Sequence, residues 1–414
     1  MGKVTFFLLC LFAAFIPFET MANFGDLPSG AKLIGMPLVA SAALAFLTGH
    51  RIRMLPLPLV MRVVLVFLSV ISCTWSSFPE ATLTNVSRMI QVLILALLVW
   101  EFAVTYKEQM WLLRSLLVGM LVPLAMQMVA FRSGGLIAES AEEARFSGAA
   151  NDLNYLAYMY GIAIMVAVYL ATNSLTLDRK CRWFYWGMAA LCAIGNILTG
   201  SRSGFICLLA ASVVSMVMAG VSRGRIVAIL QFLALVVVVY WIAMCFIPAS
   251  VFSRVASTST SVWEDPRVQI WGRGLAAFLK TPLFGTGSGT FARATVASGS
   301  ERGAVAHNAF LSVLVELGVI GFTLFLSYVI MLFRTAWRLP RREKLLWLGV
   351  LSVWTLWALL TGSEYDHFTW SLHVLVLAQA AACAQLGPPG KLPLYFRRAV
   401  SLIRKPVPPR FGRP

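Results

Sequence analysis

The side chains in this sequence whose types and spacing best suit joint chemistry lie in three short stretches. His307 and Asn308 head the apolar run HNAFLSVLVELGVIGF, Arg202 stands at the tip of LTGSRSGF (198–205), and Arg267 and Arg273 lie in PRVQIWGRGLAAFLK (266–280). An imidazole, with a reference pKa of ~6.5, suits proton abstraction near neutrality. Guanidinium groups carry permanent charge and forked donors that match phosphate oxygens. In the arginine turn, Ser201, Ser203 and the glycines offer backbone N–H groups near a helix start, a place that favours an anion. The plain alternative is a solvated turn arginine. Arg267 and Arg273 are six residues apart, so on a helix they fall on different faces and need not act together. Asp265 and Pro266 fit the cap and first position of that helix. Asn308 either orients His307 or caps the helix that follows.

The run after His307 is interrupted by Gly318 and Gly321. At 3.6 residues per turn both fall within ~40° of the histidine's face, where they would let a neighbouring helix pack closely beneath it. Glu316 faces the opposite side, ~13.5 Å deeper by helix rise. A carboxylate there is costly unless paired or protonated, and Glu101 raises the same question. Arg88 belongs to a polar stripe with Asn85 and Gln91, which suits an internal cavity.

These groups sit in a chain of 414 residues that is 59% hydrophobic and 12% charged. Repeated apolar stretches of ~20 residues make it an all-α, polytopic membrane helix bundle. The hydrophobic pattern predicts about twelve spans, near 4–18, 32–49, 59–76, 83–104, 111–131, 152–171, 183–199, 203–220, 226–247, 306–333, 345–362 and 368–386. The first reads as a retained helix, since no clean small-x-small cleavage site follows it. Residues 1–386 form a single transmembrane domain, 248–305 a long periplasmic loop with short amphipathic helices, and 387–414 a basic cytoplasmic tail. Within the loop, Ile270, Trp271, Leu275 and Phe278 would face lipid or protein.

The net charge of +17 is explained by where the charges lie. With twelve crossings, Arg51, Arg53, Lys107, Arg179, Lys180, Arg182, Arg223, Arg225, the cluster 334–344 and the tail share one side, which the positive-inside rule makes cytoplasmic. The opposite loops hold most of the acids, including Glu139, Glu264, Glu301 and Asp366. The basic excess thus reflects topology and contact with anionic lipid headgroups, and nucleic-acid binding is set aside. The seven cysteines contain no C-x-x-C pair and mostly lie in apolar runs, which speaks for packing over a zinc site or disulfide framework.

Taken together, the three stretches resemble the O-antigen ligase and O-antigen polymerase family of lipid-linked polysaccharide glycosyltransferases. HNAFLSVLVELGVIGF is similar to its H-[NSQ]-x9-G-x-x-G signature, TGSRSGF to its arginine turn, and RVQIWGRGLAAFLKTPLFGTGSGTF to its R-x3-W segment with a following G-x-G turn. Phe322 departs from the ligase pattern, which favours Gly, Thr or Tyr there, and leaves ligase and polymerase both open. The resemblance implies a twelve-helix inner-membrane protein with a periplasmic active site; the loop charges put both termini in the cytoplasm. It implies a donor glycan on undecaprenyl diphosphate, an acceptor such as lipid A–core, and no metal or nucleotide cofactor. His307 then matches the essential histidine, Arg202 the turn arginine and Arg267 the loop arginine. A flippase or other transporter is the reading from a different class. It predicts an internal repeat and polar groups through the membrane, whereas the marked groups gather on one face and no repeat is visible.

Overall fold

The structure is a computed structural model that describes residues 2–19, 30–132, 152–173, 179–223, 266–297, 305–361 and 366–385, with isolated positions 226, 230 and 233. Among these residues every regular element is helical. In chain order they are α1 (Gly2–Phe15), α2 (Gly30–Leu47), α3 (Leu57–Ile71), α4 (Pro79–Phe102), α5 (Tyr106–Gly119), α6 (Leu121–Arg132), α7 (Leu153–Asn173), α8 (Arg179–Leu198), α9 (Arg202–Arg223), α10 (Pro266–Lys280), α11 (Phe291–Val296), α12 (Ala309–Trp337), α13 (Arg341–Leu360) and α14 (His367–Gln385). Local chemistry sets several of the starts. Pro79 and Pro266 occupy first helical positions, where a missing N–H costs nothing. Thr105 and Glu108 form a reciprocal capping box on α5.

Among the described residues, eight helical segments are long and apolar enough to cross a membrane: Leu57–Thr74, Pro79–Phe102, Tyr106–Arg132, Leu153–Thr172, Ser203–Gly220, Ala309–Trp337, Arg341–Leu360 and His367–Ala384. Gly2–Phe18 and Lys32–Leu47 are apolar but shorter. α8 covers the span expected at 183–199, and its first turn carries Lys180 and Arg182. The expected span 226–247 falls outside the described residues apart from three positions. So do 248–265 and 298–304 of the long loop, and the whole tail 387–414.

The core runs along α7, whose spanning window is 89% buried, and α14, at 72%. α7 packs against α8, α9 and α13, while α14 packs on α4 and α12. Two charges within the apolar helices, Glu101 and Arg62, are accommodated. Glu101 lies at the end of α4, where it meets His50 Nε2 at 2.9 Å and accepts from the Arg53 N–H at 3.1 Å. Arg62, buried in α3, lies over the ring of Trp370 at 3.1 Å and that of Tyr328 at 4.9 Å, a desolvated cation–π arrangement.

Candidate active site

The site is built around a break in α12. Gly318 has φ 63° and ψ −168°, so the helix is interrupted about two and a half turns below its start. In an unbroken helix the N–H groups of Val319 and Ile320 would bond the carbonyls of Val315 and Glu316. Here those donors reach the carbonyls of Pro282 and Leu283, at 2.9 and 3.4 Å, and the two freed carbonyls accept from Thr286 N and Gly287 N, at 3.0 and 2.9 Å. The turn 282–287 thus replaces, bond for bond, what the helix gives up. A Cβ on Gly318 would lie 2.3 Å from the Leu283 carbonyl oxygen. This corrects the expected role of the two glycines: Gly318 admits a loop rather than a neighbouring helix. A Cβ on Gly321 would meet Leu317 of its own helix.

The same turn answers the question of Glu316. This buried carboxylate accepts from Gly289 N at 2.7 Å, Phe291 N at 3.2 Å and Ser312 Oγ at 3.2 Å. All three partners are donors, so the acceptor-only carboxylate group is well matched. Beyond it, Ser288 N donates to Ser72 Oγ at 3.1 Å and Asn85 Nδ2 donates to Ser288 Oγ at 2.9 Å. The N-terminal half of the chain therefore braces the Gly-rich turn from the other side. Arg88 and Gln91, further along α4, are exposed, and Asn85 is the member of the stripe that reaches this turn.

α10 docks on this platform. Ile270 and Phe278 pack with Phe291 and Val315, and Trp271 Nε1 donates to the Ala306 carbonyl at 2.8 Å. Leu275 faces outward. The tryptophan bond fixes α10 against the residue just before His307. Arg267, one turn earlier on the same face, is thereby carried to the histidine. Arg273 is partly buried on a different face.

His307 is partly buried and holds φ 46°, a left-handed conformation uncommon outside glycine. Asn308 accepts from Leu311 N at 3.0 Å and so caps α12. Burial, then the nearby charge of Arg267, lowers the His307 pKa, and the carboxylate of Asp152 opposes them. The imidazole is thus neutral at neutral pH, with a lone pair to accept a proton.

Asp152 leads to the arginine turn. It caps α7, accepting from Asn154 N at 2.8 Å and Tyr155 N at 3.2 Å. Asn154 Oδ1 accepts from Ser201 Oγ at 2.8 Å, and Ser201 Oγ itself accepts from Gly204 N at 3.0 Å. Ser201 and Ser203 are buried, so their hydroxyls serve the start of α9 and the contact to α7 rather than an outside anion. The backbone of Arg202 follows directly as the first residue of α9; its side chain lies outside the described residues. Tyr155 donates to Asp366 Oδ1 at 2.9 Å, tying α7 to α14, and burial pushes the Asp366 carboxyl up to about 6. Neither Asp152 nor Asn154 is among the site candidates that the sequence marks.

Arg267, His307 and the turn of Arg202 therefore converge at one end of the bundle. Residues 187–326 match the family model described as O-Antigen ligase. This part of the chain is similar to the O-antigen ligase family. The O-antigen ligase segment begins in α8 and ends just past Gly321, so it contains the arginine turn, α10, the Gly-rich turn, His307 and the helix break. α3, α4 and the start of α7, which brace the site, lie outside it. No curated protein matches the chain.

Proposed function

We propose that the protein is an O-antigen ligase-like glycosyltransferase of the bacterial inner membrane. It moves a glycan from undecaprenyl diphosphate to an acceptor hydroxyl, on lipid A–core or a similar acceptor, at the periplasmic face. The observation that carries this reading is a half-buried His307 with Arg267 near it, on a hydrogen-bonded frame that also holds the arginine turn.

His307 takes the proton of the acceptor hydroxyl as its oxygen attacks the anomeric carbon. The bond from that carbon to the diphosphate oxygen breaks, and the electron pair leaves with the diphosphate. One displacement inverts the anomeric centre. Arg202 and Arg267 face the charge that grows on the leaving group, where preorganised donors contribute most; Arg273 adds a further cation nearby. The charge stabilisation and the base are thus both supplied by side chains. The topology that accompanies this reading has both termini in the cytoplasm.

A second reading within the same chemistry is a polymerase that joins lipid-linked repeat units; it is kept by Phe322, which departs from the ligase pattern. Purified protein incubated with lipid-linked glycan and either lipid A–core or a second lipid-linked repeat separates the two by product size. His307→Ala and Arg267→Ala should each lower transfer by at least the ~10²-fold typical of lost acid–base or charge-stabilising groups, with normal protein levels in the membrane. Full activity in His307→Ala would remove the proposed base.

A further inference from the structure

Away from the site, α1, α2 and α4 enclose a cavity of about 450 Å³. Its bed is apolar, with Phe12, Leu38, Ile94 and Leu98 among its lining residues. It is open to the side, because Met36 and Val39 line it and are 58% and 44% exposed. The polar groups that touch it are Lys32, Gln91 and His367. His367 starts α14, and α12 and α14 run the same way with α13 returning between them, so this head of the groove lies at the His307 end of the bundle.

The groove extends along α2 from Lys32 to Ala43, eleven residues or ~16 Å by helix rise. Half of a ~30 Å hydrocarbon core is ~15 Å. The bed is therefore one leaflet deep and parallel to the helices, the dimension of a phospholipid acyl chain. An undecaprenyl chain would run far beyond it. The head is cationic: Lys32 is exposed, and Arg88 is exposed one turn from Gln91 on α4. The nearby acid, Glu19, is paired with His367 at 3.0 Å. We infer that this groove holds one chain of an anionic phospholipid, with its phosphate at Lys32 and within reach of Arg88. The inference does not depend on the proposed transferase reaction.

Native mass spectrometry of the delipidated full chain, offered phosphatidylglycerol or phosphatidylcholine of equal chain length, tests it. The wild type should retain one phosphatidylglycerol in preference to phosphatidylcholine. Lys32→Glu should reduce that preference at least five-fold, the equivalent of about 1 kcal/mol per basic residue near an anionic headgroup. Val39→Trp, which fills the bed, should abolish retention of both lipids, and His307→Ala should leave it intact. Equal retention of the two lipids by the wild type, or unaltered retention in Val39→Trp, would overturn the assignment. Displacement of phosphatidylglycerol by undecaprenyl phosphate would likewise overturn it, giving the groove to the glycan carrier.

Discussion

Replacing Glu316 by Gln changes one atom and isolates what the buried carboxylate does. Its two oxygens face two backbone donors, Gly289 N on one side and Phe291 N on the other, with the Ser312 hydroxyl sharing the second. A glutamine carbonyl can serve only one of those backbone groups. The other then faces an NH₂, and a buried unsatisfied N–H costs ~1–3 kcal/mol. The bond that survives falls from the range of charged acceptors to that of neutral ones, a further loss of ~1 kcal/mol. The Ser312 hydroxyl can reverse its role and accept from the new amide, so it adds little. The sum is ~2–4 kcal/mol, concentrated on residues 285–297. Hydrogen exchange of the purified protein in detergent reads this locally: amides of that segment should exchange roughly 30- to 700-fold faster. Glycan transfer should fall with it, because α10 and Arg267 rest on Phe291. Exchange within three-fold of wild type across 285–297 would refute the account of Glu316 as the clasp of the Gly-rich turn.

Gly318→Ala puts a Cβ 2.3 Å from the Leu283 carbonyl at φ 63°; left-handed backbone and overpacking together cost ~2–5 kcal/mol, seen as a lower thermal midpoint and reduced transfer. The rate of transfer against pH should fall on the acid side with an apparent pKa below the usual ~6.5 of histidine, because burial and Arg267 depress His307. Asp152→Asn keeps the cap on α7 but removes the negative charge that supports protonation, so the acid limb should move to lower pH; an upward move would contradict the placement of Asp152 beside the imidazole.

Much of the frame was legible in the sequence because membrane helices announce themselves by composition. The helix expected at 266–280 is α10 with the same limits, since Pro266 opens it and the Thr281–Pro282 pair closes it. The apolar run after His307 is likewise α12, capped where Asn308 allowed. What the sequence concealed depends on backbone groups. Helical periodicity treats Gly318 as one more position on a face and cannot show that its φ is reversed. The partners of Glu316 are two amide N–H groups some twenty-five residues away, and any non-proline residue has such a donor. The hydroxyls of Ser201 and Ser203 looked available for an anion because the sequence does not reveal Asn154 beside them.

These hidden contacts explain how histidine and arginine from distant parts of the chain can be held in fixed relation at a membrane boundary. A loop alone would leave Arg267 to wander, since connecting segments are the mobile part of most folds. Here the loop exchanges four backbone bonds with a broken helix, receives two more contacts from Ser72 and Asn85, and is clasped by Glu316. The break removes helical bonds without leaving any of the four groups unpaired, so its cost is mainly the left-handed glycine. In return, the helix that carries His307 and the helix that carries Arg267 share one rigid base. A side chain that must meet a transition state gains from such preorganisation, because no reorganisation is then needed as charge develops on the leaving group. The same reasoning makes α3 and α4, outside the family segment, part of the candidate site's support: loosening Asn85 from Ser288 should disturb Arg267 through the turn, although Asn85 need not touch either substrate.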